Sequence, residues 1–74
     1  MDAGGAVVTP GETLRTMRRP LCEGLRQFMR QQHTVEAEVM DELALRGVVQ
    51  LDRYDSWVLS PHGRRVWELL RLRP

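Results

Sequence analysis

The sequence predicts a mainly α-helical fold carrying one small β-hairpin, an α+β class. Three observations predict it. Apolar residues recur at helical spacing in separate stretches, two stretches open on a hydroxyl residue followed by proline, and two short β-type segments flank a turn-rich pentapeptide. With 74 residues the chain has room for one small domain. Its 42% apolar and 28% charged residues are ordinary for a globular protein and unlike a disordered tail. Residues 1–8 are small, glycine-containing and without period, so they are expected to be a disordered N-terminal segment ahead of a single domain over residues 9–74.

The first helix is expected from Thr9-Pro10-Gly11-Glu12. Threonine can cap the orphan amides, proline fits the first turn, and a glutamate three residues after the cap opposes the helix dipole. Leu14 and Met17 supply its apolar face, Arg15, Arg18 and Arg19 fall toward its carboxyl end, and Pro20 is expected to stop or kink it. A second helix over Leu21 to Gln32 follows from the stripe Leu21, Leu25, Phe28 and Met29, with Cys22 beside it. Arg26 and Arg30, one turn apart, project together from its polar side.

After a Gln31-Gln32-His33 turn, Thr34 is expected to cap a third helix running to Arg46, with Val35, Val39, Met40 and Leu43 inward. Gly47 is the left-handed stop. Leu45 falls off that stripe, which leaves it either drawn into the core or exposed for a partner. Val48 to Leu51 and Trp57 to Leu59 are expected to pair antiparallel around Asp52 to Ser56. Ser60-Pro61 then opens a closing helix whose apolar face is Val66, Trp67, Leu69 and Leu70 and whose polar side carries Arg64, Arg65, Glu68 and Arg71. Both tryptophans are expected in the core.

Composition excludes several classes of function. No apolar run reaches the length of a membrane span, and Met1 to Gly5 has neither the basic start nor the apolar stretch of a secretory signal, so a cytoplasmic protein without membrane contact is expected. A single cysteine, Cys22, allows no internal disulfide and too few soft ligands for a structural zinc. His33 and His62 have no nucleophile and orienting carboxylate at a recognisable spacing. No catalytic activity, metal or cofactor is therefore expected.

The net charge of +1 conceals three blocks of alternating sign. Residues 10–33 hold five arginines against two glutamates, residues 34–55 six acids against two arginines, and residues 56–74 four arginines against Glu68. All eleven cations are arginine, whose planar fork suits phosphate or carboxylate and never titrates away near neutrality.

Two segments resemble a known family. Leu43-Ala44-Leu45-Arg46-Gly47-Val48-Val49 is similar to the end of the recognition helix and first wing strand of the winged helix-turn-helix family. Val58-Leu59-Ser60-Pro61-His62-Gly63-Arg64 resembles its second wing strand leading into the last helix. With the order of elements, the resemblance covers about half the chain. It implies a winged helix-turn-helix of three helices, a two-stranded antiparallel wing and a C-terminal helix, with Thr34 to Arg46 as recognition helix and Arg53-Tyr54 at the wing tip. It also implies double-stranded DNA as partner, for a transcriptional regulator or phage-type accessory factor.

The residues allow two functional readings. In the first, DNA is bound through Arg26, Arg30, Gln31, Gln32, His33, Thr34, Arg53 and Tyr54. In the second, the recognition helix is too acidic for phosphates, and Glu36, Glu38, Asp41, Glu42 and Leu45 form a face for a basic protein partner, with Tyr54 as a further apolar anchor. The small size of the chain makes a homodimer a further expectation for either.

Overall fold

The computed structural model describes residues 8–31 and 34–73. Its elements are α1 (Pro10–Thr16), α2 (Arg19–Arg30), α3 (Ala37–Leu45), β1 (Val49–Leu51), β2 (Trp57–Leu59) and α4 (Pro61–Arg71). The fold is therefore mainly helical with one two-stranded antiparallel sheet, an α+β class. The expected disorder of residues 1–8 falls outside the described residues except for Val8, as do Gln32 and His33 of the expected turn.

α1 begins as its sequence dictates. The Thr9 hydroxyl accepts from the Glu12 amide at 3.2 Å, and the Glu12 carboxylate accepts from the Thr9 amide at 3.1 Å, a reciprocal capping box. The helix ends earlier than Pro20 suggests. Met17 leaves helical geometry and is buried, so the chain turns inward after Thr16. Pro20 does not terminate α1; it sits in the first turn of α2, where its missing N–H is an orphan and no earlier turn exists for its ring to strike. Arg18 and Arg19 consequently stand at the amino end of α2, the end where cations are unfavourable, with no acid in that turn and no side-chain cap.

The third helix also departs from expectation at its start. The Thr34 hydroxyl is not its cap, since it donates to the Gln31 carbonyl at 2.8 Å and accepts from the Gln27 amide nitrogen at 2.6 Å. That pins the α2–α3 connection onto α2, and α3 begins after Glu36 with no side-chain cap. Its inward face is as expected, with Met40 and Leu43 buried and Val35 and Val39 packed against the core.

Gly47 closes α3 at φ +75°, a conformation glycine adopts at little cost, and β1 follows. β1 and β2 pair in the register Val49 with Leu59, Gln50 with Val58 and Leu51 with Trp57. Asp52 organises the loop: its carboxylate accepts from the amides of Tyr54 at 2.8 Å and Ser56 at 3.0 Å, while its own amide donates to the Ser56 carbonyl.

Ser60 joins the hairpin to α4. Its hydroxyl accepts from the Gly63 amide at 2.8 Å, capping α4, and donates to the Gly47 carbonyl, while its amide donates to the Val48 carbonyl at 3.0 Å. The approach is so close that a methyl group on Gly63 would overlap the Val48 carbonyl. One buried core then gathers Leu14, Leu21, Leu25, Phe28, Leu43, Val48, Val66 and Leu70. α1 lies along α4, and the Thr13 hydroxyl meets His62 Nε2 at 2.7 Å between them.

Four apolar residues depart from expectation. Met29 is 39% exposed and Leu69 41%, each lying at the edge of its helix stripe rather than at its centre. Trp57 and Trp67 are half-buried against the core rather than inside it: Trp57 opens its strand opposite the exposed Leu51, and Trp67 stands beside the buried Val66–Leu70 face of α4, lining an open groove.

Candidate functional site

α2 separates two flanks of opposite charge. At 3.6 residues per turn, two successive steps rotate about 200° round the helix. Gly24 closes on Val39 of α3, so close that a methyl group there would overlap the Val39 side chain, whereas Arg26, two residues on, looks the opposite way. On that opposite side α2 faces the last turns of α4 across an open groove of about 590 Å³. Arg26 and Arg30 come from α2, Arg71 from the last turn of α4 and Arg73 from just beyond it, and Met29 and Trp67 supply its apolar lining.

The first and third charge blocks of the sequence thus meet in space. A neighbouring cleft, lined by Arg19, Cys22, Glu23, Arg26 and Arg73 among others, carries the same flank toward the start of α2. Arg26 pairs with Glu23 at 3.4 Å, and both are partly exposed, so the pair is weak and easily exchanged. Among the described residues no acid lies within ion-pair distance of Arg30, Arg71 or Arg73. Between solvent-exposed guanidinium groups and an apolar lining, the groove suits an anionic ligand that also offers a flat or apolar surface.

Arg64 and Arg65 extend the positive surface along α4. They line a second cleft with Glu68, Pro61 and the strand residues Gln50 and Leu59. Arg64 precedes Arg71 by two turns, about 10 Å on one side of the helix, with Trp67 between them.

The opposite flank belongs to α3. Glu38, Asp41, Glu42 and Leu45 follow the spacing i, i+3, i+4, i+7, and all four are exposed, Leu45 to 82%. Glu36 is exposed just before the helix. Glu42 makes a 3.4 Å pair with Arg46, and Arg18 shares a shallow cleft with Glu38 and Glu42. The open alternative for Leu45 is resolved: it is on the surface.

The sequence-derived DNA candidates are therefore divided. Arg26 and Arg30 line the groove; Gln31 and Thr34 are exposed after α2, Thr34 bonded to Gln27 and Gln31, and neither is among the groove's lining residues. Gln32 and His33 lie outside the described residues. Arg53 and Tyr54 are exposed in the hairpin loop and are not among the groove's lining residues. Arg71, Arg73 and Arg19 were absent from the sequence-derived set. The signal for Arg71 and Arg73 was the basic third block and the Trp67-to-Arg71 spacing of one turn, and that for Arg19 the basic first block, but nothing local says that α4 ends opposite α2.

Cys22 is half-buried against the core, with its thiol 3.7 Å from the Met17 carbonyl. No group of three or more His, Cys, Asp or Glu among the described residues could hold a metal ion, and no helix there is long and apolar enough to cross a membrane. Protein-family models, curated proteins and solved structures were compared with the chain, and none matches.

Proposed function

We propose that the chain is a small winged-helix protein that binds double-stranded DNA and serves as a regulator or accessory factor. The order of elements, the left-handed Gly47 turn into β1 and the antiparallel hairpin support the winged-helix arrangement. The observation that carries the DNA reading is the convergence of Arg26 and Arg30 with Arg71 and Arg73 on one groove. Arginine forks positioned in this way bind phosphate oxygens and release condensed counterions, the main source of affinity for duplex DNA. The outward face of α3 presents Glu38, Asp41 and Glu42, which repel phosphates. Contact through the α2/α4 flank therefore reads the backbone and little sequence.

Titration of the protein with mixed-sequence duplexes, followed by amide shifts, tests this. Residues 26–31 and 67–73 should shift at low salt, and affinity should fall with salt at a slope of about −0.9 per phosphate contacted. Arg30→Glu with Arg71→Glu should flatten that slope by about two. Absence of any shift in these segments at low salt would remove the DNA reading.

A second reading is favoured by the exposed stripe of α3: acids around a terminal leucine form a face for a basic protein surface. Glu38→Arg with Asp41→Arg should abolish capture of such a partner while leaving the fold intact.

A further inference from the structure

We propose that the acidic stripe of α3 in one copy docks into the α2/α4 groove of a second copy, so that the chain associates head to tail. The two surfaces match in charge and in chemistry. The stripe carries Glu38, Asp41 and Glu42 with Leu45 at its end, and the groove carries Arg26, Arg30, Arg71 and Arg73 around Met29 and Trp67. Carboxylates meet guanidinium groups, and a leucine that is 82% exposed meets the apolar lining.

Their dimensions agree as well. Glu38 to Glu42 spans about 6 Å along α3, the same spacing as Arg26 to Arg30 on one wall of the groove and Trp67 to Arg71 on the other.

A single copy cannot satisfy this match within itself. Gly24 and Arg26 point to opposite sides of α2, so α3 and the groove lie on opposite flanks of one molecule. A second copy can, and at a net charge of +1 the copies scarcely repel one another. The contact is heterologous: each copy offers one donor face and one acceptor face, which builds a ring or an open chain rather than a two-fold dimer. The proposal uses the groove but not its assignment to DNA. It does imply that DNA and a second copy compete for the same arginines.

The test is sedimentation of the nucleic-acid-free, full-length protein over a range of concentration. At low salt the wild type should grow beyond a dimer, and at about 1 M salt, where the screening length is about 3 Å, it should return toward monomer. A stripe variant, Glu38→Arg with Asp41→Arg, and a groove variant, Arg30→Glu with Arg71→Glu, should each remain monomeric. Mixed in equal amounts they should associate again, since the intact stripe of one meets the intact groove of the other and the two reversed faces also match in charge. Leu45→Asp, at a position too exposed to affect folding, should weaken association about 10- to 100-fold.

A wild type that stays monomeric at low salt, a dimer that survives both reversals, or variants that fail to pair when mixed would each overturn the proposal. A monomeric wild type that still binds duplex DNA leaves the DNA reading standing, and self-association without DNA binding would reassign the groove to the protein contact alone.

Discussion

The two charged flanks of this molecule are built in different ways. The acidic flank is local: Glu38, Asp41, Glu42 and Leu45 share one helix and follow its period, so one turn of geometry places them together. The basic flank is long-range: Arg30 and Arg71 stand forty-one positions apart and meet only because α2 and α4 pack round one core. A face made by one helix survives whatever that helix packs against, whereas a face made by two depends on their docking.

Beside each flank a glycine admits a close approach. Gly63 lets the start of α4 rest on the backbone at Val48, and Gly24 lets α2 close on the Val39 side chain. The obstacles differ in kind, since a carbonyl anchored in the hairpin cannot move aside and a valine methyl can.

The largest expected effect therefore falls on the basic flank. Gly63→Ala should cost about 3 kcal/mol of stability, measured by denaturant unfolding, because the new methyl strikes the Val48 backbone and unseats α4 with its arginines. Gly24→Ala should cost about 1 kcal/mol, offset in part by alanine's better helix propensity. In a double-mutant cycle with Val39→Ala it should show a coupling of about 1 kcal/mol, because removing the valine methyls relieves the clash. An equal cost at the two glycines would erase the distinction between a fixed obstacle and a yielding one.

A smaller change should separate stability from function. Arg19 opposes the dipole at the start of α2, where no acid stands in the first turn. Arg19→Glu should raise stability by about 0.3–1 kcal/mol while weakening duplex binding, since Arg19 extends the basic flank. Loss of stability instead would mean that Arg19 is held by a contact that supports the fold.

The smallest effect lies at the start of α1. The Thr9 amide, then the Thr9 hydroxyl, hold the Glu12 carboxyl below its ordinary value of 4.5, with Arg15 adding to the shift. A depressed carboxyl stabilises the folded chain above its unfolded value and ceases to do so as pH falls through the folded one. The capping box should thus stay intact at neutral pH and open only in acid below about 4.5, visible in the Thr9 and Glu12 amide shifts. Glu12→Gln should remove the pH dependence.

Much of the architecture was legible in the order of residues. Thr9-Pro10 and Ser60-Pro61 both cap the helices they open, Gly47 does take a left-handed turn, and the strands pair where β-branched and aromatic residues cluster. Errors gathered at boundaries. Pro20 was compatible with ending one helix or beginning the next, and only the inward turn of Met17 decides between them. Thr34 could cap a helix or pin a loop, and the position of Gln27 selects the second.

The candidate site was legible by half. The order of residues along the chain determines which helices form, which face of each is apolar, and that acids ride on α3 while arginines ride on α2 and α4. Those properties follow from bond geometry over three or four neighbours. Tertiary structure alone decided that the two arginine-bearing helices share a groove while the acids turn away from it. Burying the apolar faces in one core sets how helices pack, and the charges are carried wherever that packing leaves them.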